Sequence, residues 1–367
     1  MKKSLSLLLS LALVLLLLAG CAQDAAAPAA DGDTADTGAT TDAADTADTA
    51  DTADTADTAD TGASGDAPMI GFANYSTISY FMNMGAAAHK TAAEAGCEFH
   101  ELYHGGDAAV LADQIEDLAA MGCQILITEV TDDQSMVNTF QELKDQGIII
   151  VSCDIRTQEN VDYWIASDNY QIGRTSGENA VAYLTEKYGE ARGTVAILSS
   201  KTTTSMIERA EGFKEVLADY PNIEIVDEQF PTDFSAVNMM TLTDDILQLY
   251  GEGSLDVIFA SNQTQVEGAN SAIVTAGRQD VALFGVDDSD AIYEALQDPN
   301  STLQSTVVQD PIAMGVQAVT AGLALYNGET LDGDTYNPDV MLVTRDNVAE
   351  FIENNAAQVA ELEDYYN

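Results

Sequence analysis

A chain of 367 residues, 46% of them hydrophobic, is long enough for about two domains of ~150 residues and a sizeable buried core. Its 61 acidic against 13 basic residues give a formal net charge of −48, a field that repels nucleic acid and anionic membrane surfaces and disfavours polyanionic substrates. The four cysteines, Cys21, Cys97, Cys123 and Cys153, form no CxxC pair, which excludes a zinc ribbon or a thioredoxin-type motif.

Met1-Lys2-Lys3 is a short positive start, and Leu5 to Leu18 is almost wholly apolar. That run is shorter than the ~20 residues a spanning helix needs, so residues 1–20 read as a signal peptide. It closes on Leu18-Ala19-Gly20-Cys21, which resembles the lipobox of bacterial lipoproteins. The resemblance implies cleavage before Cys21, lipid on its sulfur, and attachment to the outer face of a membrane through that anchor alone. Residues 21–67 continue mostly as Ala, Asp, Thr and Gly with a repeating Asp-Thr-Ala unit, from Asp45-Thr46-Ala47 to Asp60-Thr61. Such a composition cannot bury enough apolar surface to offset its ordering entropy, and its like charges repel, which predicts a disordered, extended tether. A calcium-binding repeat is the alternative, but the Asp-Thr-Ala unit lacks the glycines that such loops use for tight turns.

From Pro68 the pattern changes to alternating short apolar runs and amphipathic stretches. Strands are expected at Met69–Tyr75, Glu98–His104, Ile125–Val130 and Ile148–Cys153, with helices at Tyr80–Ala95, Ala108–Met121 and Ser135–Gln146 between them. Alternation at this period specifies a parallel sheet covered by helices on both faces. Ligands gather outside the C-terminal ends of such strands, so the segments to watch are Ser76–Phe81, Gly105–Asp107, Thr131–Asp133 and Asp154–Arg156. Cys97 and Cys123 open strands that flank the first strand rather than each other, which argues against a disulfide and predicts free, buried thiols.

His100-Glu101-Leu102-Tyr103-His104 matches the H-E-x-x-H string of zinc metalloproteases. That chemistry needs both imidazoles on adjacent turns of a helix. In a strand, residues four apart are separated by ~13 Å, too far to share one ion. The composition here is that of a strand, so the metalloprotease reading is kept only as an alternative.

Trp164-Ile165-Ala166-Ser167-Asp168-Asn169 forms a polar crossover into a second array. Its helices are expected at Asn169–Lys187, Ser205–Tyr220, Ala236–Tyr250, Val266–Ala276 and Pro311–Tyr326, and its strands at Thr194–Ser199, Ile223–Phe230, Val257–Ser261, Val281–Val286 and Thr302–Val308. Pro311 suits a first helical turn, where a missing N–H costs least. Trp164, the only tryptophan, is expected to pack at this joint. Cys153 is read as structural, since no histidine is placed to serve it as a base.

The succession Ile165-Ala166-Ser167-Asp168-Asn169, Glu208-Arg209-Ala210-Glu211-Gly212-Phe213, Phe259-Ala260-Ser261-Asn262, Phe284-Gly285-Val286-Asp287-Asp288 and Thr306-Val307-Val308-Gln309 resembles the type I periplasmic solute-binding proteins of ABC transporters, in the ribose- and galactose-binding branch. The resemblance runs from about Pro68 to Asp346. It implies an α/β fold of two doubly wound parallel-sheet lobes joined by three crossover hinge strands. By analogy the N-terminal lobe takes 68–167 and 310–337, and the C-terminal lobe 168–309 and 338–367. The implied action is capture of a small polar solute, a sugar or sugar-like molecule, by hinge closure, followed by delivery to an ABC permease. A monomer with no cofactor, no catalysis and no nucleic-acid partner is expected. The same lobes also serve receptors that report to a chemoreceptor or histidine kinase, which is the alternative output.

Carried over position by position, the resemblance places Tyr80 and Phe81 as stacking aromatics, Asp154 as a carboxylate after the fourth strand with Arg156 beside it, and Phe234 as an aromatic from the second lobe. Asn262, Asp287 and Gln309 complete an amide–carboxylate–amide set. Sugar ring faces pack on aromatics, and paired hydroxyls suit Asp and Asn. The plainer alternatives are a core role for Phe81 and helix-capping roles for Asp154 and Asp287. The ribose branch has arginine where this chain has Ile155 and Ile207, which weakens the case for ribose or an acidic sugar and leaves neutral sugars, polyols and nucleosides open.

Overall fold

The computed structural model describes residues 67–131, 136–155, 160–333 and 335–366. The signal segment, Cys21, the tether with its calcium alternative, and Arg156 lie outside the described residues.

The first array forms β1 (Met69–Asn74), α1 (Ser79–Glu94), β2 (Glu98–Tyr103), α2 (Ala108–Met121), β3 (Ile125–Glu129), α3 (Val137–Asp145), β4 (Ile149–Cys153) and β5 (Tyr163–Ile165). The second forms α4 (Asn169–Tyr188), β6 (Gly193–Leu198), α5 (Thr204–Ala218), β7 (Ile223–Gln229), α6 (Ala236–Leu249), β8 (Val257–Ala260), α7 (Gln263–Ala276), β9 (Ala282–Val286), α8 (Asp290–Gln297) and β10 (Leu303–Val308). Then come α9 (Pro311–Tyr326), β11 (Thr335–Tyr336), β12 (Met341–Thr344) and α10 (Val348–Ala360). Two six-stranded sheets result, ordered β11-β5-β4-β3-β1-β2 and β12-β10-β9-β8-β6-β7. The protein is thus a pair of doubly wound α/β lobes.

Each sheet is buried on both faces, which is why its strands read as continuous apolar runs rather than alternating ones. In the first lobe Ile125, Ile127 and Val151 pack under α1 and α9, while Leu126 and Ile150 pack under α2 and α3. In the second, Val195, Phe259 and Phe284 face α4 and α5, and Ala196, Ile258 and Leu283 face the opposite layer. The chain passes between sheets after β5, after β10 and after β11. As a result α9 follows a strand of the second sheet yet packs on α1, β3, β4 and β5 of the first. After α10 the last turn, Glu363–Tyr365, returns to α1, where Tyr365 packs edge-on against His89.

Three features correct the sequence reading, and a fourth agrees with it. β12 runs antiparallel to β10, because it re-enters the second sheet directly from the crossover and needs no helix to reverse its direction. α8, β5, β11, β12 and α10 were not anticipated; the three strands have two to four residues each, too short for periodicity to register. Cys97 is only partly buried, although Cys123 and Cys153 are buried and all three are free thiols. His100–His104 falls on β2, as its composition indicated. There His100 Nε2 meets Glu98 Oε1 at 2.8 Å, while His104 is buried and Nε2 lies 3.1 Å from the Glu129 carbonyl.

The base of the second lobe is tied by Asp256, just before β8. It accepts from Lys187 Nζ at 2.8 Å, from the Tyr188 hydroxyl, and from the Thr194 amide at 2.9 Å. Burial opposes its ionisation, but these donors outweigh that cost and hold the carboxyl below its ordinary range. A carboxylate depressed on folding stabilises above its unfolded value, ~3.9, and that support is lost as pH falls through the folded value. Asp256→Asn is therefore expected to cost about 2 kcal/mol at pH 7 and to flatten the acid limb of the melting curve below about pH 4. Melting temperatures of both proteins across that range check it.

Candidate functional site

The C-terminal ends of β4 and β9 carry the same device in the two lobes. Asp154 follows β4 and Asp287 follows β9, and both adopt left-handed backbone, with φ of 62° and 72°. A non-glycine residue held there costs on the order of 1 kcal/mol, least for Asn and Asp, and such positions concentrate at functional sites. Each turn breaks the strand direction sharply and leaves a carboxylate at the sheet edge.

Asp287 is the hub. Gln309, after β10, donates through Nε2 to Oδ1 at 3.0 Å; Arg209 of α5 donates through Nη1 to Oδ2 at 3.2 Å, as does the Gln263 amide at 3.2 Å. The Thr306 hydroxyl donates to the Asp287 carbonyl at 2.5 Å and braces the strained turn. Arg209 is held in turn by Asn169 Oδ1 at 2.9 Å and the Ser261 carbonyl at 3.0 Å. Buried Gln265 fixes the Ser261 segment: its Oε1 accepts from the Ser261 amide and hydroxyl, and its Nε2 donates to the Ser199 carbonyl.

On the first lobe, Tyr80 of α1 donates its hydroxyl to Asp154 Oδ1 at 3.1 Å, and the same oxygen lies 3.5 Å from Gln309 Oε1. A polar chain Asp154–Tyr80–Gln309–Asp287–Arg209 therefore joins the strand ends of both sheets. Burial raises the Asp154 carboxyl above its ordinary value and the Asp287 charge adds to this, with the Tyr80 hydroxyl and Arg209 acting against them. The Tyr80 hydroxyl is pushed well up, first by burial and then by Asp154 and Glu129. Phe81 meets Tyr80 edge-on at 5.0 Å and stacks on Tyr75 at 4.9 Å, and Tyr75 in turn meets His104 edge-on. The result is a run of aromatic side chains beside the polar chain.

Tyr80, Asp154, Asp287 and Gln309 are thus brought together, with Phe81 alongside. Asn262 is the N-cap of α7, its Oδ1 accepting from the Gln265 amide at 3.1 Å and the Thr264 hydroxyl at 3.2 Å. The capping role weighed for the two aspartates belongs to this asparagine instead. Phe234 lies partly buried in the loop between β7 and α6 and makes no ring contact with a described aromatic. Trp164 sits in β5, between β4 and β11. Burial, and then Glu129 and Asp154, push the Cys153 thiol well up, which keeps it from acting as a nucleophile.

Two further residues belong to this constellation. Arg209 is 4% exposed and shares a helical stripe with Met206, Ala210, Phe213 and Val216. An arginine on an apolar stripe is the signal that marks it, since a buried charge demands a partner. Glu129 ends β3 and is 1% exposed; an acid closing an otherwise apolar strand was the legible sign. Among the described residues no three His, Cys, Asp or Glu side chains converge as a metal site.

A family model, the periplasmic binding protein domain, matches residues 70–330. The chain belongs to this family. Members bind solutes and are not enzymes, and as a periplasmic binding protein this one works outside the cytoplasmic membrane. This binding protein is 26% identical over 267 residues to the ribose import binding protein of Escherichia coli (strain K12), covering 72% of this chain and 86% of the relative. It is 24% identical over 242 residues to a D-apiose import binding protein of Paraburkholderia graminis, covering 65% of this chain and 75% of the relative. An arabinose-binding protein from Geobacillus stearothermophilus superposes with a TM-score of 0.69 at 18% identity, covering 78% of this chain and 99% of that one, which shows the shared fold.

Proposed function

We propose that this binding protein captures a sugar or sugar-like solute between its lobes and hands it to an ABC permease. The observation that carries the reading is the polar chain from Asp154 through Tyr80, Gln309 and Asp287 to Arg209, which joins the strand ends of both sheets beside the aromatic side chains. A solute touching both lobes gains more contacts in the shut form and so shifts the equilibrium toward it. Tyr80 and Phe81 offer ring faces, while Asp154, Asp287, Asn262 and Gln309 offer paired acceptors and donors for adjacent hydroxyls. The family resemblance adds Phe234 and Arg156 to the set. The anchor is lipid on Cys21, the acidic segment before Pro68 spaces the lobes from the membrane, and the protein acts as a monomer.

A thermal-shift screen of sugars, polyols and nucleosides tests this. A solute present at about 100 times its dissociation constant stabilises the native state by about 2.7 kcal/mol, which raises the melting temperature by roughly 5–10 °C. A panel in which no member moves the transition rejects the reading. Labelled palmitate recovered on wild-type protein but absent from Cys21→Ser tests the anchor.

A further inference from the structure

Among the described residues, nothing donates a hydrogen bond to the Glu129 carboxyl. Glu129 closes β3 in register with Cys153 of β4, so it stands beside Asp154 at the same sheet edge. By strand alternation it shares the α1/α9 face with Ile125 and Ile127, the face on which Tyr80 packs. Neither Oε1 nor Oε2 accepts a hydrogen bond from any described residue, although the side chain is buried. A buried carboxyl left without a partner is costly, and a buried carboxylate more so.

The charges around it are one-sided. Facing Glu129 are Asp154 from the end of β4, Glu101 from β2, and the hydroxyls of Tyr80 from α1 and Tyr103 from β2. Glu101 is turned toward Asn74, whose Nδ2 donates to it at 2.7 Å. The basic side chain of the polar chain, Arg209, reaches Asp287, Asn169 and the Ser261 carbonyl on the other lobe. Burial, then Asp154 and Glu101, raise the Glu129 carboxyl well above its ordinary value.

We propose that the solute carries a protonated amine as well as hydroxyls, as an amino sugar or amino polyol does, and that the amine seats against Glu129 and Asp154. This rests on the solute-capture reading above and specifies its ligand class. A cationic nitrogen supplies the donors that Glu129 lacks and offsets the clustered negative charge as well, whereas a neutral hydroxyl can donate a hydrogen bond but offsets no charge. A cation seated there favours the ionised form of Glu129 and so favours release of its proton to solvent.

The test pairs each neutral compound with its amine: D-glucose with D-glucosamine, D-galactose with D-galactosamine, and sorbitol with glucamine. Melting temperature and calorimetry are followed on wild-type protein and Glu129→Gln. The expected result is that an amine binds more tightly than its neutral partner and releases a proton, detected as a buffer-dependent heat near pH 7. Glu129→Gln weakens the amine about 10- to 100-fold, changes the neutral partner less than about threefold, and abolishes the proton release. Without ligand, Glu129→Gln melts higher than wild type, increasingly so as pH rises from ~4.3 toward the raised folded value, because over that range the unfolded chain gives up a proton that the folded carboxyl keeps. A lower melting temperature for the variant would mean that the protein itself pairs Glu129, and would overturn the proposal. Preference for the neutral member, or equal weakening of both members, overturns it while leaving solute capture standing. If no compound of either series binds, solute capture itself fails.

Discussion

Asp287→Asn is expected to bind the solute found in the screen about 100-fold more weakly, with only a small change in melting temperature. Asparagine keeps the side-chain volume and tolerates the left-handed backbone that Asp287 adopts at φ 72°. What it removes is the charge that organises Arg209, Gln309 and the Gln263 amide around one point. Charge-assisted hydrogen bonds are worth ~1.5–3 kcal/mol each, and the loss falls on the closed form, where both lobes share the solute. Asp287→Ala should add a second effect. It strands Arg209, whose side chain is 5% exposed, and removes the polar side chain that eases left-handed backbone for Asp and Asn, at a cost on the order of 1 kcal/mol. Titration calorimetry and melting curves of the two variants separate charge from backbone. An asparagine variant with wild-type affinity would remove Asp287 from the site.

Gly173→Ala should be among the most damaging single methyl additions in the second lobe. α4 and α5 meet backbone to backbone, and a β-carbon on Gly173 would stand 1.9 Å from the Arg209 carbonyl oxygen and 2.9 Å from the Phe213 nitrogen. Backbone cannot rotate aside as a side-chain tip can, so the helices must separate. Overpacking of this kind costs about 2–3 kcal/mol, or roughly 5–10 °C in melting temperature. Because the displaced helix carries Arg209, solute affinity should fall as well, although Gly173 makes no part of the site. Gly251→Ala is the control: an added β-carbon meets nothing within 4 Å there, and stability should stay within ~0.5 kcal/mol. Equal melting temperatures for the two variants would contradict the close crossing.

Much of this organisation is readable one element at a time. α2 runs from Ala108 to Met121, as its periodicity indicates, because Asp107 caps it with bonds to the Ala109 and Val110 amides and Gly122 ends it in left-handed backbone. α9 begins at Pro311 with Asp310 as its cap for the same kind of reason. Strand-end logic, sharpened by family resemblance, reached Asp154, Asp287 and Gln309, because a parallel sheet exposes its C-terminal edge whatever its side chains. Arg209 stood inside a recognised motif yet was read only as a signpost, since helical periodicity reports which face is buried and not what a buried charge touches. Glu129 is the last residue of its strand, whereas strand-end logic points to the residues beyond it.

What the linear chain determined by itself is local: the αβ alternation, the caps, the two buried sheets, and the strand class of His100–His104. These follow from propensity and hydrophobic period, which act over a few residues. Tertiary structure alone decided that α9 leaves its own strand to cover the other lobe and that β12 turns antiparallel. It also decided that Asp154 and Asp287, 133 positions apart, share one chain of hydrogen bonds, and that Glu129 has no partner in the described protein. Those outcomes depend on which distant segments fill the same volume, a property of the packed whole that no window of sequence contains.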